Sequence, residues 1–245
     1  MFFLFNRSDV ASAFKKKQIE VDVDGQSVPV SIHRNKQARR LILRLDPISG
    51  GARLTLPSYV PLAEGLEFIQ QQEGWLKRRL GKVPERVPFE DGAVIPMLGD
   101  DYTIRHMRSI RGAVWVEGDE LFVAGLPEHV SRRVQDWLKK EAKSRLTDLA
   151  HEKAQQLGVK VGRVTVRDTR SRWGSCAYDG SLNFSWRMLL TPPFVVDFIV
   201  AHEVAHIIER NHGPGFHKLV NELTASADQA EAWLAVHGSG LHRYG

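Results

Sequence analysis

Near its C-terminal end the chain reads AHEVAHIIERNHGPGFHK over residues 201–218, a stretch rich in histidine. Four residues make just over one helical turn, so His202 and His206 share one face of a predicted helix. Two imidazoles in that register can bind one Zn²⁺ at about 2.0–2.1 Å each. Glu203 lies about 100° further round the helix, where its carboxylate can reach a metal-bound water without being a ligand. The pattern therefore predicts a metal site in which Glu203 moves protons.

An ordinary helix with exposed histidines is the alternative interpretation of this stretch. The flanking residues Val195, Phe198, Ile199, Ala205 and Ile208 are apolar, which predicts a buried helix. Polar groups on a buried helix need partners, and a bound metal would provide them. We therefore favour the metal site.

A catalytic zinc site needs a third protein ligand and keeps one position for water. We expect the helix to end near Glu209, because Gly213-Pro214-Gly215 cannot continue it. The chain then reverses and can bring His212 back to the metal. His212 is the favoured third ligand, and Glu222 and His217 are the alternatives.

The two longest motifs together resemble a known family. HEVAHIIERNHGPGFHKLV, preceded by SRWGSCAYDGSLNFSWRMLLTPPFVVDFIVAHE, is similar to the YgjP-like metallopeptidases, which are zincins related to SprT-like proteases. The resemblance covers roughly residues 130–240 and extends more weakly towards residue 20. It implies that His202, His206 and His212 bind one Zn²⁺ per chain, that Glu203 is the general base and acid, and that the substrate is a peptide or protein.

The histidine spacing also matches the metzincins, but two departures argue against that group. Glu209 stands where metzincins have glycine, and no methionine follows His212 to form a Met-turn. His217 stands where many YgjP-like relatives have tryptophan, so its role is left open.

The segment RWGSC, residues 172–176, has two interpretations. In one, Arg172 or Ser175 lies near the cleft and holds substrate or stabilises an oxyanion. In the other, RWGSC is a structural loop, with Trp173 in the core and Gly174 at an unusual backbone angle; this one is favoured. Zincins hold extended substrate on an edge strand, for which SLNFSWRML is the candidate, and Asn183 within it completes the candidate substrate-binding residues.

The chain as a whole predicts an α+β protein with two domains. A small β-rich domain over residues 1–126 precedes a zincin-like catalytic domain over residues 127–245 with an HExxH active-site helix. Hairpin turns are expected at Asp24-Gly25 and near residues 47–51. The expected helices and loop, in chain order, are a helix over 62–80, a helix over 129–158, the loop TRSRWGSC, a helix over 193–209 and a helix over 216–236.

Composition limits the class of protein. Apolar residues make up 42% of the chain, enough for a packed core, and the single cysteine, Cys176, suits a reducing compartment and is most simply a small buried thiol. The apolar run in MFFLFNRSDV is too short for a signal peptide, and no stretch approaches the roughly 18 apolar residues of a membrane span. We therefore expect a cytoplasmic protein without a membrane partner.

Positive charge is concentrated in residues 131–187, which carry 13 Lys and Arg against 6 Asp and Glu. A solvated helix face is the simplest explanation, and attraction of nucleic acid or an acidic substrate is the other. The predicted function is zinc-dependent peptide hydrolysis through a Glu203-activated water. Two alternatives remain: a nucleic-acid-associated SprT-like protease or DNA-binding protein that uses segment 131–187, and a zinc-binding scaffold that does not catalyse.

Overall fold

The computed structural model describes residues 18–23, 25–46, 50–80, 85–108, 114–169 and 171–245. Helices and several small sheets are both present, so the predicted α+β composition is confirmed. The stretch MFFLFNRSDV and the turn residues Asp24 and 47–49 lie outside the described residues. The chain divides into two compact units, Met1–Glu85 and Arg86–Gly245, which are described separately.

The first unit is a four-stranded sheet that packs on two helices. Its elements are β1 (Gln18–Val23), β2 (Gln26–Asn35), β3 (Ile42–Asp46), β4 (Gly51–Pro57), α1 (Leu62–Gln71) and α2 (Glu73–Leu80). The strand order is β1-β2-β4-β3, with β2 and β4 parallel and the outer pairs antiparallel. Gly25 turns the β1–β2 hairpin with φ of 79°, a conformation that glycine adopts without strain. The single helix predicted over 62–80 is interrupted at Gln72, so it forms two helices.

The second unit begins with another four-stranded sheet, made of β5 (Val94–Met97), β6 (Asp100–Met107), β7 (Val114–Glu117) and β8 (Glu120–Ala124) in the order β5-β6-β8-β7. Ile104 and Leu121 on its inner face share one buried core with Val134 and Leu138 of the following long helix. The predicted boundary at 126/127 is therefore corrected to 85/86, because these strands belong to the core of the second unit.

The long helix α3 (Val130–Gln156) leads to a small three-stranded sheet. Apolar residues four positions apart, among them Val134, Leu138 and Leu146, form its buried stripe. The strands that follow are β9 (Val164–Arg167), β10 (Gly174–Cys176) and β11 (Leu182–Ser185), in the order β10-β11-β9. Part of the expected TRSRWGSC loop is thus the strand β10. The prediction that SLNFSWRML is an edge strand is wrong, because β11, which lies within it, pairs with β10 on one side and β9 on the other.

The remaining helices are α4 (Pro193–Ala205), α5 (Pro214–Leu223) and α6 (Ala227–His237), followed by a 3-10 helix over Gly238–Arg243. The helix expected over 193–209 ends at Ala205, since the amides of Ile207 and Ile208 bond to carbonyls three residues back, which tightens the last turn. The helix expected over 216–236 is two helices, because the segment after Leu223 is extended at Thr224.

Two buried cations hold the helices of the second unit together. The Lys153 ammonium on α3 is 4% exposed, lies 2.5 Å from Asp197 Oδ1 on α4 and donates to the Leu223 carbonyl that ends α5. The Arg187 guanidinium donates to Asp168 and to the carbonyls of Leu241 and Tyr244 near the C-terminus. No helix in the described part of the chain is long and apolar enough to cross a membrane.

Candidate metal centre

The centre is built on α4, a helix that is apolar on nearly every side. Nine of its residues are buried, and Glu203 is the one charged residue among them. His202 on the same helix is half-buried, and His206 follows directly after the last helical residue. A helix apolar all round is buried in the core, so its few polar groups occupy fixed positions.

The three predicted histidines come together. The ring nitrogens that His202, His206 and His212 offer all lie within 4.8 Å of one another. The Nε2 atoms of His202 and His212 are 3.3 Å apart. Two nitrogens bound to one tetrahedral Zn²⁺ at about 2.0–2.1 Å lie about 3.3–3.4 Å from each other. The set of three imidazoles therefore fits a zinc ion.

Hydrogen bonding and burial leave ring nitrogens of these imidazoles available to bind a metal. His206 Nδ1 lies 2.8 Å from the Glu209 carbonyl oxygen, and donation of its proton there leaves Nε2 free to bind a metal. Burial lowers the pKa of His202 to about 4, with the nearby His206, His212 and His217 as further causes. Burial likewise lowers the pKa of His206. Neutral imidazole is the form that coordinates a metal, so these shifts favour binding.

The ring of Phe216 lies against all three histidines. It stacks on His206 with a centroid distance of 4.4 Å and meets the rings of His202 and His212 edge-on at 4.8 and 4.7 Å. Phe216 is 2% exposed, so its own position is set by the core. It supports the rings from α5, a role that the sequence pattern did not show because the contact joins separate helices.

Glu203 is 6% exposed, and this burial raises the pKa of its carboxyl group to about 7. The positive charge of Arg172 opposes the shift. A cation held by the neighbouring histidines would further favour the charged carboxylate. A carboxylate with a pKa near neutrality can both take up and release a proton, as proton-transfer chemistry requires.

Gly174 on β10 lies directly against the Glu203 side chain. A Cβ atom at residue 174 would lie 2.5 Å from both Cγ and Oε1 of Glu203, and 2.8 Å from its Cδ. Such contacts are shorter than van der Waals distances, so only glycine fits without moving the carboxylate. Gly174 does not have the unusual backbone angle that we expected, since its φ is not positive. The RWGSC segment thus supplies one wall of the site.

Comparison with known proteins decides the family. A model of the YgjP-like metallopeptidase domain matches residues 39–237, most of the chain. The chain belongs to the YgjP-like metallopeptidase family. The sequence resemblance is thereby confirmed. A crystal structure of the metallopeptidase zymogen abylysin from Pyrococcus abyssi is similar at 17% identity and a TM-score of 0.34, covering 38% of this chain and 95% of that one. No curated protein matches the chain.

The other predicted site residues of this YgjP-like metallopeptidase lie on two sides of the small sheet. Gly174 faces Glu203, and side chains alternate along a strand, so Ser175 points to the opposite face. Asn183 is the antiparallel partner of Ser175 and shares that face, where it accepts a hydrogen bond from Thr165. The structure therefore does not bring Ser175 and Asn183 together with the histidines. Arg172 does act on Glu203 electrostatically.

The rival third ligands of the YgjP-like chain lie outside the histidine cluster. Among the described residues, the one group suited to a metal is the set of three histidines, which includes neither His217 nor Glu222. His217 is exposed and meets the ring of Phe216 edge-on at 5.5 Å. Glu222 lies one turn from Lys218 on α5, 3.8 Å from its ammonium.

Arg210, which the sequence pattern did not single out, ties the end of the histidine segment to the β10–β11 turn. Its guanidinium donates to the carbonyls of Ala177 and Tyr178. It also lies 3.5 Å from the sulfur of Cys176. Burial raises the pKa of the Cys176 thiol, which keeps it protonated and makes it a poor nucleophile.

Proposed function

We propose that this YgjP-like protein is a zinc-dependent peptidase with one Zn²⁺ per chain. The convergence of His202, His206 and His212 beside the buried Glu203 is the observation that carries the proposal. In this proposal the second unit is a zincin-like catalytic domain with α4 as its active-site helix, and the first unit is a small β-rich domain that precedes it.

Zinc, when bound, supplies a Lewis acid that polarises the scissile carbonyl group and makes a water molecule more acidic. Glu203 accepts a proton from the attacking water at a carboxylate oxygen and passes it to the leaving amine. The charged carboxylate, which a bound cation favours, is the form that accepts this proton, and Gly174 fixes its position.

Among the described strands, β10 pairs with β11 alone, and its other edge is the best candidate to hold the substrate chain. The backbone amide of Ser185 donates to the Trp173 carbonyl, and the amide of Ala177 donates to the Ser181 carbonyl. The N–H and C=O groups of the odd-numbered residues in this segment therefore face β11. Because antiparallel strands alternate, the N–H and C=O groups of Gly174 and Cys176 point away from β11. An extended peptide can pair with them beside Glu203. This replaces the SLNFSWRML strand in the predicted role.

Arg172 is the proposed cation of the cleft. It is exposed and acts on the Glu203 carboxylate, so its guanidinium lies where it can contact a bound peptide or the oxygen of the scissile carbonyl.

Metal removal tests the proposal. The purified protein should hydrolyse casein, lose this activity after chelation and recover it with one equivalent of Zn²⁺ per chain. Zinc binding at one equivalent without hydrolysis of casein or any member of a peptide library would indicate a non-catalytic scaffold. Hydrolysis that survives complete removal of metal would show that the proposed chemistry is wrong.

A further inference from the structure

Four cationic side chains line one groove of the second unit that shares no residue with the metal centre. Lys139, Lys140 and Lys143 come from α3, and Arg163 directly precedes β9, whose residues complete the wall. The groove has a volume of about 480 Å³, within the range of natural ligand sites.

The charge of this groove is not cancelled by neighbouring acids. Within the described part of the chain, none of its four cations forms an ion pair, and Lys139 donates to the neutral Gln135. The α3 acids Asp136 and Glu141 pair instead with Arg132 and Arg145. Unpaired cations that line one groove create a local positive potential that attracts an anionic partner.

The groove also contains the free edge of a sheet. Strand β9 pairs with β11 alone among the described strands, and the amide of Leu182 donates to the Arg163 carbonyl on that side. The next carbonyl, of Val164, therefore faces away from β11, where the Lys143 ammonium donates to it. The N–H and C=O groups of Val166 face the same way, so the groove offers backbone donors and acceptors as well as cations.

We propose that this groove binds an extended acidic segment of a polypeptide, which pairs with the β9 edge and places its carboxylates against the lysines of α3. Such a segment would belong to the substrate, so the inference rests on the proposed peptidase function and adds a second contact outside the catalytic cleft. Backbone pairing provides affinity, and alternate side chains facing the lysines provide specificity.

The sheet edge distinguishes this partner from a nucleic acid. A phosphodiester backbone would use the four cations but has no N–H groups to pair with the Val166 carbonyl. A polypeptide strand uses both features of the groove. Four of the 13 Lys and Arg residues over 131–187 line this groove, and a partner that is acidic and extended accounts for these four.

Fluorescence anisotropy with a labelled Glu-Val-Glu-Val-Glu-Val peptide tests the proposal without relying on hydrolysis. The full-length Glu203→Gln protein serves as the background, and mass spectrometry of the peptide after each titration checks that it is intact. Binding should weaken by about tenfold in the Lys139→Glu/Lys140→Glu variant, because each reversal removes one attraction and adds one repulsion. Arg78→Glu/Arg79→Glu is the matched control, with the same change in net charge on two exposed residues outside the groove, and should change affinity less than about twofold.

Two further probes sharpen the test. A peptide with glutamine in place of glutamate should bind weakly, and Glu-Pro-Glu-Pro-Glu-Pro should also bind weakly because proline lacks the N–H that strand pairing needs. Equal binding of the proline peptide would overturn strand pairing. Binding of an oligonucleotide that is lost in Lys139→Glu/Lys140→Glu, with no binding of the acidic peptide, would overturn the proposal in favour of nucleic acid. Absence of acidic-peptide binding at low salt would also overturn it.

Discussion

Replacing Gly174 with alanine should disable Glu203 while leaving the metal ligands in place. The new Cβ would lie 2.5 Å from Glu203 Cγ and Oε1, roughly 1 Å closer than atoms in contact normally approach. The carboxylate must therefore move by about 1 Å, and a misplacement of that size costs about a hundredfold in rate. Overpacking of this kind costs about 1–3 kcal/mol of unfolding free energy. We expect kcat for casein or a fluorogenic peptide to fall about a hundredfold with zinc content unchanged.

Gly74→Ala is the matched control. Its added Cβ would approach nothing closer than the Arg78 guanidinium at 3.6 Å, an ordinary contact, so activity should be unchanged. Zinc content by elemental analysis and the thermal midpoint should be measured beside the kinetics. Wild-type kcat in Gly174→Ala would refute the idea that Gly174 positions Glu203. Loss of zinc would show instead that β10 supports the ligands.

The remaining predictions concern the third ligand and the buried acid. His212→Ala should lose zinc affinity by at least tenfold, whereas Glu222→Ala should bind zinc like wild type, and the reverse result by elemental analysis would make Glu222 the ligand. In metal-free protein the folded-state pKa of Glu203 is about 7 against an ordinary 4.5, so the charged form is disfavoured on folding and stability should fall as pH rises through this window. Glu203→Gln removes this loss. The unfolding free energy of metal-free Glu203→Gln, measured in urea relative to metal-free wild type, should therefore rise by about 2–3 kcal/mol between pH 5 and pH 8. A difference that does not vary with pH would contradict the raised pKa.

The histidine pair could be predicted because its information is local. A spacing of four residues puts His202 and His206 on the same face of any helix. The Gly-Pro-Gly segment predicts that the chain reverses, which brings His212 back to this pair. The predicted end of α4 lies four residues too late, because the amides of Ile207 and Ile208 bond to carbonyls three residues back and tighten the last turn. No periodicity reveals those bonds.

The sequence pattern does not reveal contacts between elements that are far apart in the chain. Gly174 and Glu203 are far apart in the chain and meet only when β10 packs on α4, so RWGSC gave no sign that its glycine faces the carboxylate. Its three-residue strand is also too short to show alternation. Phe216 resembled any apolar position of an amphipathic helix, although its ring contacts all three histidines.

The domain boundary was misplaced for a related reason. The predicted β-rich domain over 1–126 includes the strands β5 to β8, because alternating residues indicate strands. Alternation shows only that one face of a strand is buried, and not which core that face joins. In the structure that face joins the core of α3, so Ile104 and Leu121 pack with the second unit.

The most direct test of Glu203 as the general base is the hydrolytic activity of zinc-loaded Glu203→Gln. The amide is nearly isosteric with the carboxylate but cannot accept a proton at neutral pH, and loss of a general base typically costs about 10²–10⁴-fold. We expect at least a hundredfold drop in casein hydrolysis, with one Zn²⁺ per chain still bound and the Zn²⁺-loaded fold intact. Cleavage as fast as wild type at full zinc occupancy would contradict this role of Glu203.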